Sequence, residues 1–437
     1  MQAPVFHAIA LAVAVALGAP AAAQPASAAA QPAEPTALEA RSLQVIELLN
    51  GEVQPEEIFT PAFRAAIADE QIKTLSASLT AQFGRAVEVS LLAPREGMRA
   101  ALEIRFERGI ARGGIALDPA KDNRINELRF TSVDSLSVAG DTPEKISADL
   151  AALPGSVNAW FGPLGDAPVI SRNADAPLAL GSAFKLYVLA ALAEDVKAGR
   201  RKWSDVAVLT EKSYPSGQLQ DWPKGSPVTL HTLASLMISI SDNTATDQLI
   251  AMLGRDRILK LMADSGHSDP DMNNPFLTTR ELFVIKANPQ AAARWKADDA
   301  VAKRDAVSLA EALDALQPAT LDQINAAFGN GPKALDIEWF ASPADLAKLF
   351  AHMRKTADPK AFQIMAINPS ATEAIKANWG TIGFKGGSEP GVLTLTWLLT
   401  DEAGRDWVLT LGWNNPAAVV DEGKLEAIAQ RILLLPR

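Results

Sequence analysis

The 437-residue chain has no cysteine. That excludes disulfides and thiolate metal ligands and rules out lipid anchoring through a cysteine, so stability must come from packing. Histidine is nearly as scarce. His7, His231, His267 and His352 are scattered, none lies in an H-x-x-E-H stretch and none sits beside a G-x-S-x-G turn. Neither a zinc site nor a histidine-based triad is indicated. Positive charge is in deficit, with 41 Lys and Arg against 51 Asp and Glu and a formal net charge of −10. That balance argues against a nucleic-acid or anionic-membrane partner.

What is present reads as an ordinary globular protein, 48% hydrophobic and 21% charged, and longer than one compact domain usually runs. Met1–Ala23 is apolar, too short for a comfortable membrane span, and ends in the small-residue run Ala21-Ala22-Ala23. It reads as a secretory signal cut before Gln24, although its start carries no Lys or Arg. The expected location is therefore periplasmic or secreted, with no membrane span after cleavage. Residues 24–36, rich in Ala, Pro and Gln, read as a flexible lead-in.

Residues 37–134 are expected to form a small α+β domain. Leu38–Leu49 has helical periodicity, and Phe59–Ile67 and Glu70–Phe83 suggest two further helices. The period then shortens to that of strands over Val87–Leu92, Ala101–Glu107, Gly109–Leu117 and Glu127–Ser132. A sheet curled over helices would make a cone, and no acid/base pair or metal spacing falls within it. Ser135–Asp141 reads as a polar linker, and residues 142–437 as a second domain that begins with a helix at Pro143.

The chemistry concentrates in that second part. Gly181-Ser182-Ala183-Phe184-Lys185 reads as a glycine turn running into an amphipathic helix, with Ser182 and Lys185 one turn apart on one face. A serine hydroxyl needs a neighbouring base to become a nucleophile, and a lysine buried in an apolar wall can lose its proton and serve as one. Taken singly, the serine is equally well a helix cap and the lysine a solvated charge. Further along come Ser241-Asp242-Asn243, after the helical run Leu230–Met237, and Lys385-Gly386-Gly387-Ser388 in a strand-like run.

S-x-x-K, S-D-N and a K-[TS]-G-type triplet, in this order, resemble the motif set of class A β-lactamases and penicillin-binding proteins. The resemblance runs from about Thr142 to the end and extends to the helical text LASLMISISDNTATDQLI. With the front domain included, the chain is most similar to two-domain β-lactamase-like proteins of the clavulanate-cluster type, in which a steroid-isomerase-like (cystatin/NTF2-like) cone precedes the catalytic domain. The resemblance implies an α/β domain with an antiparallel sheet flanked by helices, and roles for matching positions. Ser182 would be acylated, Lys185 would take its proton, and Ser241 would relay a proton to the leaving nitrogen. Asn243 would hold the substrate's amide, and Lys385 would meet its carboxylate. The Ser182 and Ser388 backbone N–H groups, with Gly387 between Lys385 and Ser388, would form the oxyanion hole. The substrate would be a small β-lactam or related ester or amide, and no cofactor is implied.

The chain departs from the family pattern twice. The triplet lacks its middle hydroxyl, which Ser388 stands close enough to supply. The E-x-x-x-N stretch that deacylates class A enzymes is absent, since Glu281, Glu311, Glu338 and Glu373 are followed four residues on by Ile285, Ala315, Ser342 and Ala377. Glu281 is the candidate base by position, or else a partner of Lys286 or Arg280. The reading is a serine β-lactamase-like hydrolase, slow if no base orients water. The alternatives are an esterase or D-Ala-D-Ala-type peptidase, and a β-lactam-binding or sensing protein with little turnover. Residues 291–331 are expected as a helical insert, either a solvated hairpin or a lid.

Overall fold

The structure is a computed structural model that describes residues 35–135, 140–316, 329 and 331–436. The expected signal, most of the lead-in, part of the linker and most of 321–331 lie outside the described residues. Among the described residues, no helix is long and apolar enough to cross a membrane.

The N-terminal part is a four-stranded antiparallel sheet in the order β1 (Ala86–Arg95), β2 (Arg99–Phe106), β3 (Gly109–Asp118), β4 (Arg124–Ser135). The helices Ala37–Leu49 and Asp69–Phe83 pack with it. Alternation along β2 buries Ala100, Leu102, Ile104 and Phe106, which join Val45, Leu49, Leu79 and Phe83 in one core. The single helix expected over Phe59–Ile67 is two short ones, Pro55–Ile58 and Pro61–Ala66. Pro61 disfavours helical backbone at Thr60. Thr60 is extended; its N–H donates to Ile125 O, and its hydroxyl caps the second helix.

The larger part is a five-stranded antiparallel sheet with helices on both faces. Its strands are β5 (Ser156–Pro163), β6 (Ile170–Arg172), β11 (Thr381–Glu389), β12 (Val392–Thr400) and β13 (Asp406–Asn414), in the order β11-β12-β13-β5-β6. Two small ribbons accompany it: β7 (Leu178–Ala179) with β10 (Phe340–Ala341), and β8 (Val206–Val208) with β9 (Pro227–Thr229). Nearly every residue of β12 and β13 is buried because both faces are covered, which explains why apolar residues occupy both faces of each strand. One face packs Leu398 and Val408 into the core that holds the helix Lys185–Lys197. The other packs Leu395, Leu399 and Leu409 with residues of the helices Pro143–Ala151 and Glu422–Leu433.

Two expectations need correction. The helix after Ser182 is not amphipathic: Lys185 through Ala193 are all buried, because helices enclose it on every side. The described part of the insert, helices Pro289–Trp295 and Ala300–Leu316, is not merely solvated, since Ala291, Trp295, Ala306 and Ala310 join the main core.

The helix Glu422–Leu433 is where the two parts meet. Leu425, Ile428 and Ile432 face the large sheet, while Ala427 belongs to the N-terminal core. A side chain at Gly423 would overlap the Gln82 amide. Arg431 pairs with Asp141 and Asp149 at 2.7 Å each.

Candidate active site

Gly181 opens a 3₁₀ turn, Gly181–Phe184, with a left-handed φ of 48° that suits glycine. Positions three apart eclipse in such a turn, which aligns Ser182 with Lys185 at the start of the following helix. Strand β11 lies directly against this turn. A Cβ on Gly387 would overlap Leu180 O and the Ser182 and Ala183 nitrogens, so only glycine permits the approach. A Cβ on Gly181 would in turn meet Ser388 N at 3.0 Å. The backbones of Ser182 and Ser388 are thus brought together. Ser182 is half-buried and Ser388 exposed, which puts them at the edge of the fold.

Behind them lies a buried polar cluster. Lys185 is fully buried, and its Nζ lies 2.6 Å from Ser241 O, 2.7 Å from Asn243 Oδ1 and 3.1 Å from Ser241 Oγ. Lys385, 3% exposed, places its Nζ 3.1 Å from the same Ser241 Oγ and donates to Gly386 O. One hydroxyl therefore sits between two ammonium positions. Burial, and after it the positive charge of Lys385, holds Lys185 well below the usual lysine range. Burial brings Lys385 down to about 7. A neutral Lys185 has two N–H donors and one lone pair. Ser241 O and Asn243 Oδ1 only accept, so they take the two donors, and the lone pair is left to accept a hydroxyl proton.

Ser241 is held in a left-handed conformation, φ 60°, which is costly for a residue with a side chain. Its neighbours enforce it. Asp242 is wholly buried and accepts from Gln218 N (2.6 Å), Leu219 N (3.0 Å) and Ala245 N (2.8 Å), capping the helix Asn243–Leu253. Ser216 Oγ donates to Ser241 O at 2.7 Å, and Asn243 N donates to Ser216 O at 3.0 Å. Asn243 Nδ2 donates to Tyr214 O at 3.1 Å, which orients the amide with its oxygen toward Lys185. One turn on, Asp247 accepts from Ser213 Oγ, Thr279 N, Thr279 Oγ1 and Arg280 N. Burial raises its carboxyl to about 6 against the pull of those donors. Sequence reasoning missed Ser216 and Asp247. The first lies in Tyr214-Pro215-Ser216-Gly217, whose composition suits any turn, and the second differs from any helical Asp only in what it touches.

The structure brings Lys185, Ser241, Asn243 and Lys385 together and sets Gly387 and Ser388 against Ser182. It does not bring Glu281 into that group. The Glu281 carboxylate forms a two-pronged pair with Arg255 and accepts from Thr278 N at 2.8 Å, closing a capping box. It lines a cavity of about 790 Å³ that contains none of Ser182, Lys185, Ser241 or Lys385. Lys286, one of the two alternative partners expected for it, pairs with Glu338 and Glu389 instead. Among the described residues, no group of His, Cys, Asp and Glu is arranged to hold a metal ion.

Residues 142–430 match the beta-lactamase enzyme family. The chain belongs to this family. Within the serine β-lactamase and penicillin-binding protein superfamily, solved structures similar to this β-lactamase-family chain include PBP-A, at 18% identity over 67% of this chain and 94% of that one, TM-score 0.46. A β-lactamase from Sphaerobacter thermophilus is 22% identical over 66% and 94%, TM-score 0.46. One from Chitinophaga pinensis is 16% identical over 66% and 96%, TM-score 0.45. No curated protein matched the chain.

Proposed function

We propose that this β-lactamase-family chain is an acyl-serine hydrolase acting on β-lactams, with Ser182 as the acylated residue. The observation that carries the reading is the Ser241 hydroxyl at 3.1 Å from both Lys185 Nζ and Lys385 Nζ. Neutral Lys185 takes the Ser182 proton as Oγ attacks the lactam carbonyl. The proton passes through Ser241 to the leaving nitrogen, and Lys385 offers its charge to the substrate carboxylate. The Ser182 and Ser388 N–H groups receive the oxyanion, and the remaining Asn243 amide proton faces the substrate's side chain.

Deacylation is the slow half of this proposal, because the Glu281 carboxylate is committed to Arg255. That commitment favours a second reading, a β-lactam-binding or sensing protein with long-lived adducts. An esterase or D-Ala-D-Ala-type peptidase would use the same residues. We further propose that the N-terminal unit is a cystatin/NTF2-like cone and that the chain is exported. The first is supported by the helices packed on a four-stranded antiparallel sheet and the second by the apolar leader.

The test is a time course of intact-protein mass after mixing with a penicillin and a cephalosporin, with Ser182→Ala alongside. The expected result is an adduct on the wild type that decays slowly with product release, and none on the variant. A permanent adduct selects the binding reading. Absence of both adduct and product with either drug overturns the β-lactam assignment.

A further inference from the structure

Three buried charges are left unused by this chemistry. Lys286 Nζ donates to Glu338 Oε1 at 2.8 Å and to Glu389 Oε1. The side chains of Lys286, Glu338 and Glu389 are 0%, 1% and 8% exposed. They come from three elements, each of which adjoins the candidate active site. Glu389 directly follows Ser388 on β11. Glu338 directly precedes Trp339, whose carbonyl accepts from Leu180 N at 2.9 Å and whose ring stacks on Phe184 at 3.6 Å. Lys286 lies in the last turn of the helix Thr279–Ala287, which Asp247 holds at its start.

Strand alternation sets Lys385, Gly387 and Glu389 on one face of β11. Gly387 touches the turn that carries Ser182, so Lys385 and Glu389 flank that turn along the strand. Two carboxylates on one ammonium leave one negative charge uncompensated, and in a buried site one carboxyl keeps its proton. Burial, then the charge of Glu338, pushes the Glu389 carboxyl up to about 8 against the pull of Lys286. The charged groups around Glu389 are Lys286 from its helix and Glu338 from the segment before β10, with Lys385 and Lys185 beyond Gly387. Lys333 is the next charge on the segment whose Pro332 covers Gly391.

We propose that Lys286, Glu338 and Glu389 are positioning residues for acylation: with one shared proton they clamp the end of β11 to the Ser182 turn, and they release it when that proton is lost. The proposal rests on the acyl-serine reading. The clamp holds Ser388 N–H beside Ser182, and its release both loosens that donor and adds a negative charge next to the oxyanion site. The maximal rate of acylation therefore falls on the alkaline side. This is separable from Lys385, whose deprotonation weakens capture of the substrate carboxylate and so raises the concentration needed for half-maximal rate.

The experiment measures penicillin acylation from pH 6 to 10, resolving maximal rate from half-saturating concentration, for the wild type, Glu389→Gln, Glu338→Gln and Lys286→Met. The wild-type maximal rate should fall about tenfold per pH unit above the Glu389 transition. Either single glutamine leaves one carboxylate to one ammonium with no proton to lose. Both variants should therefore hold their maximal rate at least one pH unit further, while the half-saturation profile stays as in the wild type. Lys286→Met should slow acylation about tenfold or more at every pH. If one glutamine variant fails to fold, the other carries the same test; if both fail to fold, the three charges hold the fold itself and the proposal is overturned. Glutamine profiles that overlay the wild type overturn it as well. A wild type that forms no adduct at any pH sinks the acyl-serine reading instead.

Discussion

The N-terminal unit and the β-lactamase-family domain bury different things. Among the described residues, the first buries Ser42, Thr60 and Ser76 but no charged side chain; its Arg105 and Arg112 pair with Glu88 and Glu103 at the surface. The second buries Lys185, Asp242, Asp247, Lys286, Glu338, Asp345 and Lys385. A buried charge costs folding free energy unless it is paired or hydrogen-bonded, so a fold that keeps several has a use for them. The first unit reads as a scaffold held by apolar packing, the second as a scaffold shaped around ionisable groups.

The sharpest way to break this contrast is at Lys185. Lys185→Met should leave a folded protein whose acylation by penicillin, followed by mass, is slower by about 10²–10⁴-fold, the scale of losing a general base. A variant that acylates at the wild-type rate would move the base elsewhere. Gly387→Ala comes next: the methyl forces β11 off the Ser182 turn, and acylation should fall about 10²–10³-fold, the scale of losing one oxyanion donor. The counterpart in the other unit is Phe106→Ala. It should cost about 3–5 kcal/mol in a denaturant melt by opening a cavity in the apolar core. Acylation per folded molecule should not change, and a large change would mean that the N-terminal unit takes part in the chemistry. Smallest is the pH effect at Lys385. Its positive charge is present below about 7 and lost above, so the half-saturating penicillin concentration should rise severalfold between pH 6 and 8. Lys385→Arg should flatten that rise, because a guanidinium keeps its charge.

How much of this was legible in the sequence follows the same division. The strands of the N-terminal sheet were readable from a period of two, clearest in β2, and β1 to β4 lie within a few residues of the expected runs. In the main domain, β12 and β13 are legible for the opposite reason, since apolar residues occupy both of their faces. The helix after Ser182 misled because Lys185 and the acidic end near Asp195 suggested a polar face, yet both residues are buried among partners. At the site, Ser182, Lys185, Ser241, Asn243 and Lys385 could be named through the family resemblance that their motifs carry, and not from any one of them alone. The cluster of Lys286, Glu338 and Glu389 could not, because its members are far apart in the chain and each reads as a surface charge until the fold closes over it. The place of Glu281 outside the active-site cluster was illegible for a related reason. Its partner Arg255 precedes it by 26 residues, beyond any local pattern.

The helix Glu422–Leu433 has one more consequence. Since it contributes Ala427 to one core and Leu425, Ile428 and Ile432 to the other, neither half can melt without stripping cover from its neighbour. Heat should find one cooperative transition rather than two, and a calorimetric scan that resolved two peaks would show that the shared helix does not couple the cores.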